Sequence, residues 1–255
     1  MIRGMLTSTF IHVPGIGYVT ERNIWEMGAL TWAHFLDLHP KLSLSRAKKA
    51  LILPRVQESI SRLAAGDHAF FARTLPAKEH WRSVGEFGSE IAYLDIETTG
   101  CGLYDQITVI GLYDGRDMRA FVRDVNLREF PAAVSKFKIL VTFFGSAFDL
   151  PFIRRAFPNL RLDQLHVDLC FLLRRLGLTG GLKRIEDQLG IARRPEVDGL
   201  NGFDAVRLWN EYRRGSDEAL ELLLLYNEED VMNMEGLLAY GCAELAKKFR
   251  PAAVR

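Results

Sequence analysis

The spacing of apolar residues along this chain changes near residue 90. Residues 10–64 read as helical, with Trp25, Leu30, Trp32 and Phe35 supplying apolar surface. Val13-Pro14-Gly15-Ile16-Gly17 is a turn signal between apolar segments. Thr20 is placed to cap the following helix, with Glu21 in its first turn. Residues 65–89, which hold Gly66, Pro76, Gly85 and Gly88, read as a linker or strap. At Glu90 the pattern turns strand-like. Ile91-Ala92-Tyr93-Leu94 is a buried-type run ending at Asp95, and Ile107 to Tyr113 is a second. Asp114-Gly115 then marks a hairpin whose return is Met118 to Val122. The pattern goes on to predict a helix over Asn126 to Phe137, a strand over Ile139 to Phe144 and a helix over Phe148 to Ala156. A last strand is expected over Gln164 to Asp168, followed by mostly helical chain with a break at Arg193–Gly202. Hairpin-spaced strands followed by strand–helix alternation imply an α/β domain with a mixed sheet, residues 90–255, after a small helical region, residues 1–89.

Composition narrows the class. With 255 residues, 48% hydrophobic and 25% charged, the chain is neither disordered nor fibrous and is long enough to bury a core. Cys101, Cys170 and Cys242 are too few and scattered for a disulfide framework or zinc cluster, so a reducing cytoplasmic setting is expected. No apolar run approaches the roughly 18 residues of a membrane helix, and no membrane partner is expected. The stretch from Gly4 to Thr20 contains Thr7, Ser8, Thr9, His12 and Pro14, so it reads as folded protein rather than a signal peptide. Residues 1–89 carry 11 Lys+Arg against 7 Asp+Glu, and the remainder 22 against 25. A basic arm joined to an acidic domain is compatible with polyanion binding in one part and cation binding in the other.

The acids carry the chemistry. In Asp95-Ile96-Glu97-Thr98-Thr99-Gly100 two carboxylates stand two apart at a strand end and share one face. They repel each other unless a cation lies between them, and hard divalent ions favour such oxygen ligands. The Thr98-Thr99-Gly100 turn offers backbone N–H groups for a phosphate or ribose. Asp149 follows a strand and opens a helix in Phe144-Gly145-Ser146-Ala147-Phe148-Asp149. Tyr226 and Asp230, at i and i+4 of a helix, lie on one face. Each has an ordinary reading as surface charge, helix-start charge or core Tyr, but their ordered co-occurrence is hard to reach by chance.

This set resembles the DEDD exonuclease superfamily, Tyr-containing subclass, over about residues 90–240. The nearest likeness is to bacterial YprB-type predicted exonucleases, through His166-Val167-Asp168-Leu169, Gly181-Leu182-Lys183-Arg184-Ile185-Glu186, Leu189-Gly190-Ile191 and the stretch ending Tyr226-Asn227-Glu228-Glu229-Asp230-Val231. The resemblance implies a ribonuclease-H-like fold and a magnesium- or manganese-dependent 3′–5′ exonuclease. It further implies two divalent cations, Mg²⁺ or Mn²⁺, held by Asp95, Glu97, Asp149 and Asp230, with Tyr226 orienting the attacking water. DNA or RNA with a single-stranded 3′ end is the implied partner. Phe144 stands where family members often carry Asn, and Asp168 reads as a supporting or structural acid.

Phe143, Phe144 and Phe148 are candidates to stack on a terminal base, with core packing the fate of at least two of them. Gly15 and Gly17 resemble a helix-hairpin-helix turn that presents N–H groups to phosphate. Basic surface is expected from Lys41, Arg46, Lys48 and Lys49, and from Arg174, Arg175, Lys183, Arg184, Arg193 and Arg194. A ribonuclease-H-like endonuclease and a non-catalytic nucleic-acid-binding protein are the alternatives. No Gly-Lys-Ser/Thr phosphate loop, nucleophile elbow or His-Glu-x-x-His helix competes for the chemistry.

Overall fold

The structure, a computed structural model, describes residues 4–249. It divides into two compact units. One takes the described residues up to Ser89, Asp163–His166 and those from Cys242 on; the other is Glu90–Leu162 with Val167–Gly241.

The first unit is built from α1 (Tyr18–Glu26), α2 (Trp32–Leu38), α3 (Arg46–Ala64), α4 (His68–Thr74), a 3₁₀ segment (Ala77–Ser83) and α5 (Val84–Phe87). Helix α1 starts ahead of Thr20, because extended Gly17 takes the cap position. No helix precedes Tyr18 among the described residues. Val13–Gly17 is therefore a turn leading into α1, closed by Ile16 N–H on the Val13 carbonyl at 3.0 Å, and not a hairpin between two helices. Residues 65–89 also depart from the linker reading. The Asp67 carboxylate accepts from Phe70 N–H and caps α4, and Phe70, Phe71, Trp81 and Phe87 are buried. Their apolar content outweighs the Gly and Pro signals, because burying large rings offsets the entropy of ordering the segment.

His12 lies in this core, 2% exposed, with Nε2 2.9 Å from Ser59 Oγ. Burial, helped by the nearby Arg55 charge, pushes its pKa down to about 3. The unfolded chain thus takes up a proton as pH falls through about 6.5 while the folded chain does not. His12 contributes full stability above that pH and loses it toward pH 3. Relative to His12→Gln, the wild-type unfolding free energy should be about 2 kcal/mol lower at pH 5 than at pH 8. Denaturant titrations at both pH values check this, and parallel pH profiles would contradict it.

The second unit carries a five-stranded sheet, order β3-β2-β1-β4-β5. Its strands are β1 (Ile91–Thr98), β2 (Ile107–Tyr113), β3 (Met118–Val122), β4 (Ile139–Thr142) and β5 (Leu165–Asp168). β1 pairs antiparallel with β2 and parallel with β4, while β2 and β3 form the hairpin. The helix expected over Asn126 to Phe137 is a 3₁₀ turn plus α6 (Phe130–Val134). β4 stops at Thr142, two residues early, because Phe144 turns into the left-handed region at φ +63. α7 (Asp149–Ala156), α8 (Leu169–Arg174), α9 (Leu182–Leu189), α10 (Gly202–Tyr212) and α11 (Asp217–Phe249) complete the helices.

Alternation along the strands sorts the two faces. Ala92, Leu94 and Ile96 pack with Phe130, Val134, Leu150 and Ile153 of α6 and α7. On the other face Val109 and Val122 pack with Leu208, Trp209, Leu223 and Tyr226 of α10 and α11. The result is a mixed sheet with helices on both sides. Among the described residues no helix is long and apolar enough to cross a membrane.

Candidate active site

β1 delivers the first two acids. Ile96 points into the α6–α7 core, so Asp95 and Glu97 face α11. Across the β1–β2 ladder Asp95 lies opposite Gly111, and Glu97 opposite Val109, with an irregularity between Glu97 and Thr98 at the strand end. α11 brings Asp230 onto the same spot. Oxygens of Asp95, Glu97 and Asp230 all lie within 4.8 Å of one another. Residues 95 and 230 thus converge across more than half the length of the chain.

Asp149 is not one of the three within that spacing. It enters from the C-terminal end of β4, through the loop that opens α7, and is 3% exposed. Its carboxylate accepts from Ile96 N–H, while its Oδ1 has no hydrogen-bond partner among the described residues. Its charge acts on Asp95 more strongly than any other neighbour's.

The electrostatics follow from crowding acids into a dry place. Burial, then Asp149, Glu97 and Asp230, drive Asp95 well above the ordinary carboxylate range. Burial and Asp230 do the same to Glu97, and burial brings Asp149 up to about 7. Asp230 is raised by burial against the opposing pull of Arg193. Such a site favours protons or cations. The donor set is oxygen-only, mutually repelling, and includes the orphaned Asp149 Oδ1. It fits hard divalent cations, which Asp95, Glu97 and Asp230 would hold with Asp149 beside them.

Tyr226 sits one turn before Asp230 and donates its hydroxyl proton to it. Burial and the surrounding carboxylates push the phenol pKa up, so it stays a donor. Lys183 Nζ lies 4.7 Å from the centre of the Tyr226 ring.

One participant, Asn227, carries a role that the sequence does not single out. Asn227 Nδ2 donates to Asp95 Oδ2 at 3.0 Å and to Glu97 Oε1 at 3.4 Å, spacing the two acids. It has room because residue 111 is glycine: a Cβ there would stand 2.1 Å from Asn227 Oδ1. A glycine inside a strand was the available signal. Asp168 has a structural task. It caps α8 through Cys170 N–H, and accepts from Phe144 N–H (2.9 Å), Ser146 N–H (3.0 Å) and the Ser146 hydroxyl (2.5 Å). Asp168 thereby clamps the loop ahead of Asp149, including the strained Phe144.

The expected nucleic-acid contacts are distributed unevenly. Thr98 donates its hydroxyl to the Gly100 carbonyl, and Thr99 to Asp105. Thr99 N–H is taken by the Gln106 carbonyl, so it is not free for phosphate. Phe148 is half-buried, its ring 4.9 Å from that of Phe152. Phe144 and Phe171, 46% and 41% exposed, form a ring pair 6.1 Å apart. Gly15 and Gly17, both exposed, belong to the first unit. Arg194 is engaged by Glu228 (2.6 Å) and Glu229 (3.0 Å). A groove containing Tyr104, Arg123, Arg128 and Arg155 includes none of the four acids.

A family model described as RNase_H_2, of the RNase_H superfamily, matches residues 92–241, more than half of the chain. Among solved structures the chain is similar to the family B DNA polymerase from the hyperthermophilic archaeon Pyrobaculum calidifontis. The match is 18% identical with a TM-score of 0.44, and covers 61% of this chain and 24% of that one. The chain thus spans about a quarter of that polymerase's length. No curated protein matches it.

Proposed function

Because the chain belongs to the RNase_H_2 family of the RNase H superfamily, a family of nuclease fold, we propose that it is a divalent-metal-dependent 3′–5′ exonuclease. The observation that carries this reading is the convergence of Asp95, Glu97 and Asp230 within 4.8 Å, with the Asp149 charge opposing the ionisation of Asp95. Two divalent cations held by these four carboxylates would acidify a water and offset the charge on the leaving oxygen of an in-line displacement.

The chain's own groups do the positioning. Asn227 fixes the spacing of Asp95 and Glu97, and Asp168 holds the loop that presents Asp149. The Tyr226 hydroxyl orients the attacking water as a hydrogen-bonding group and not as a base, since an ordinary phenol, with a pKa of about 10, keeps its proton near neutral pH. The Phe144–Phe171 pair, left open to solvent, offers a stacking surface for an unpaired terminal base, with Phe144 the member of it that the sequence offers for that role. Stacking tolerates any base, which suits an enzyme that shortens single strands.

Oligonucleotides test the reading. With 5′-labelled single strands and Mg²⁺ or Mn²⁺, the products should form a ladder shortening from the 3′ end. Blocking the 3′ end or adding chelator should suppress it by at least ~10²-fold. A discrete internal product would instead assign an endonuclease. Binding without cleavage under every metal condition would leave a nucleic-acid-binding protein.

A further inference from the structure

The acid cluster contains a cation of its own. Arg193 is 5% exposed and is anchored by Glu186, with Nε 2.6 Å from Oε2 and Nη2 2.9 Å from Oε1. Glu186 is 1% exposed and also accepts from Asn233 Nδ2 at 3.2 Å, so the anchor does not depend on Asp230. From this fixed position Nη2 reaches further, to Asp230 Oδ1 at 2.5 Å. One nitrogen therefore bridges a structural acid and an acid of the cluster.

The guanidinium is only partly used. Arg193 Nη1 is buried and has no hydrogen-bond partner among the described residues, and the same holds for Lys183 Nζ. Two buried nitrogens of cationic side chains, each without an acceptor, are costly unless an anion completes them. An arginine fork presents parallel donors suited to the oxygens of a phosphate.

We propose that Arg193 is the resident counter-cation of the cluster: it yields Asp230 to an incoming divalent ion, stays held by Glu186, and then binds a non-bridging oxygen of the scissile phosphate. Arg193 is in this account a catalytic residue, and the assignment rests on the nuclease reading of the same site. Before the ion arrives, the guanidinium offsets part of the charge piled up by Asp95, Glu97, Asp149 and Asp230. After it, the same group is freed as an anion ligand at the point where phosphate negative charge must be tolerated beside four carboxylates.

The test uses the full chain and two variants, Arg193→Gln and the double variant Arg193→Gln with Glu186→Gln. The second leaves no unpaired buried carboxylate at position 186 and keeps the test valid if the single variant fails to fold. Mn²⁺ alone is titrated and bound ion measured by its paramagnetic resonance signal. Cleavage of a single-stranded oligonucleotide is then followed to separate kcat from KM. Loss of the competing cation should tighten Mn²⁺ binding about 10-fold in the folded variants, while kcat falls on the order of 10²-fold. Unchanged or weaker Mn²⁺ binding overturns the proposal, and so does an unchanged kcat. If wild type binds Mn²⁺ and cleaves while the variants match it, only the role of Arg193 falls. If wild type binds no Mn²⁺, the nuclease reading falls with it.

Discussion

Asp95→Asn should abolish metal-supported cleavage and at the same time make the metal-free protein more stable. Asp95 stands among three other acids, and burial together with Asp149, Glu97 and Asp230 opposes its ionisation. Asparagine has the same shape and still offers an oxygen to Asn227 Nδ2, now 3.0 Å from Asp95 Oδ2. The substitution therefore removes repulsion without opening a cavity. A gain of about 1–2 kcal/mol in chelator-treated protein is expected, within the range that single stabilising substitutions commonly give. Cleavage should fall by at least the order of 10²–10³-fold that single electrostatic groups supply in active sites. Denaturant unfolding in chelator and single-turnover cleavage together decide the matter. A less stable variant with normal turnover would remove Asp95 from the centre of the chemistry.

Arg82→Met should cost about 3–5 kcal/mol. Arg82 is fully buried, with Nε 2.6 Å from Glu79 and Nη1 3.2 Å from Glu21. Both acids are themselves buried and tied in. Glu21 accepts from the Thr9 hydroxyl and Phe10 N–H, each at 2.7 Å, and Glu79 from the Tyr18 hydroxyl at 2.5 Å. Methionine fills much of the arginine volume but leaves two carboxylates without their cation in the core. The cost is that of stranded charge, not of lost packing. The triple variant that adds Glu21→Gln and Glu79→Gln should recover most of the loss, because no charge then remains to be compensated. Chemical denaturation of the three proteins measures both steps. If the triple variant is no better than Arg82→Met, packing of the guanidinium against Trp81 and Phe249 carries the energy instead.

How far this was legible in the sequence depends on whether a residue's role is local. The β2–β3 hairpin announces itself through apolar runs on either side of Asp114-Gly115, and both strands form over the expected residues. The segment before residue 90 reads as linker because Pro76, Gly85 and Gly88 are local signals of loop, whereas the burial of Phe71 and Trp81 is settled by tertiary packing. The site divides in the same way. Asp95 and Glu97 declare a common face by spacing alone, and Asp230 declares a helix face shared with Tyr226. Nothing local tells that Asn227 spaces the acids, since its room comes from a glycine on another strand. Arg193 was one basic residue among several. Its distinction comes from Glu186, seven positions earlier and on α9.

The fit of Asn227 into the space left by Gly111 has an evolutionary corollary. Any side chain added at 111 collides with the amide that sets the distance between two acids, and a smaller residue at 227 leaves those acids unspaced. Neither position can drift alone without passing through an impaired intermediate. In the history of this lineage the two should have been frozen together or exchanged as a pair, a constraint written between a strand and a helix 116 positions apart.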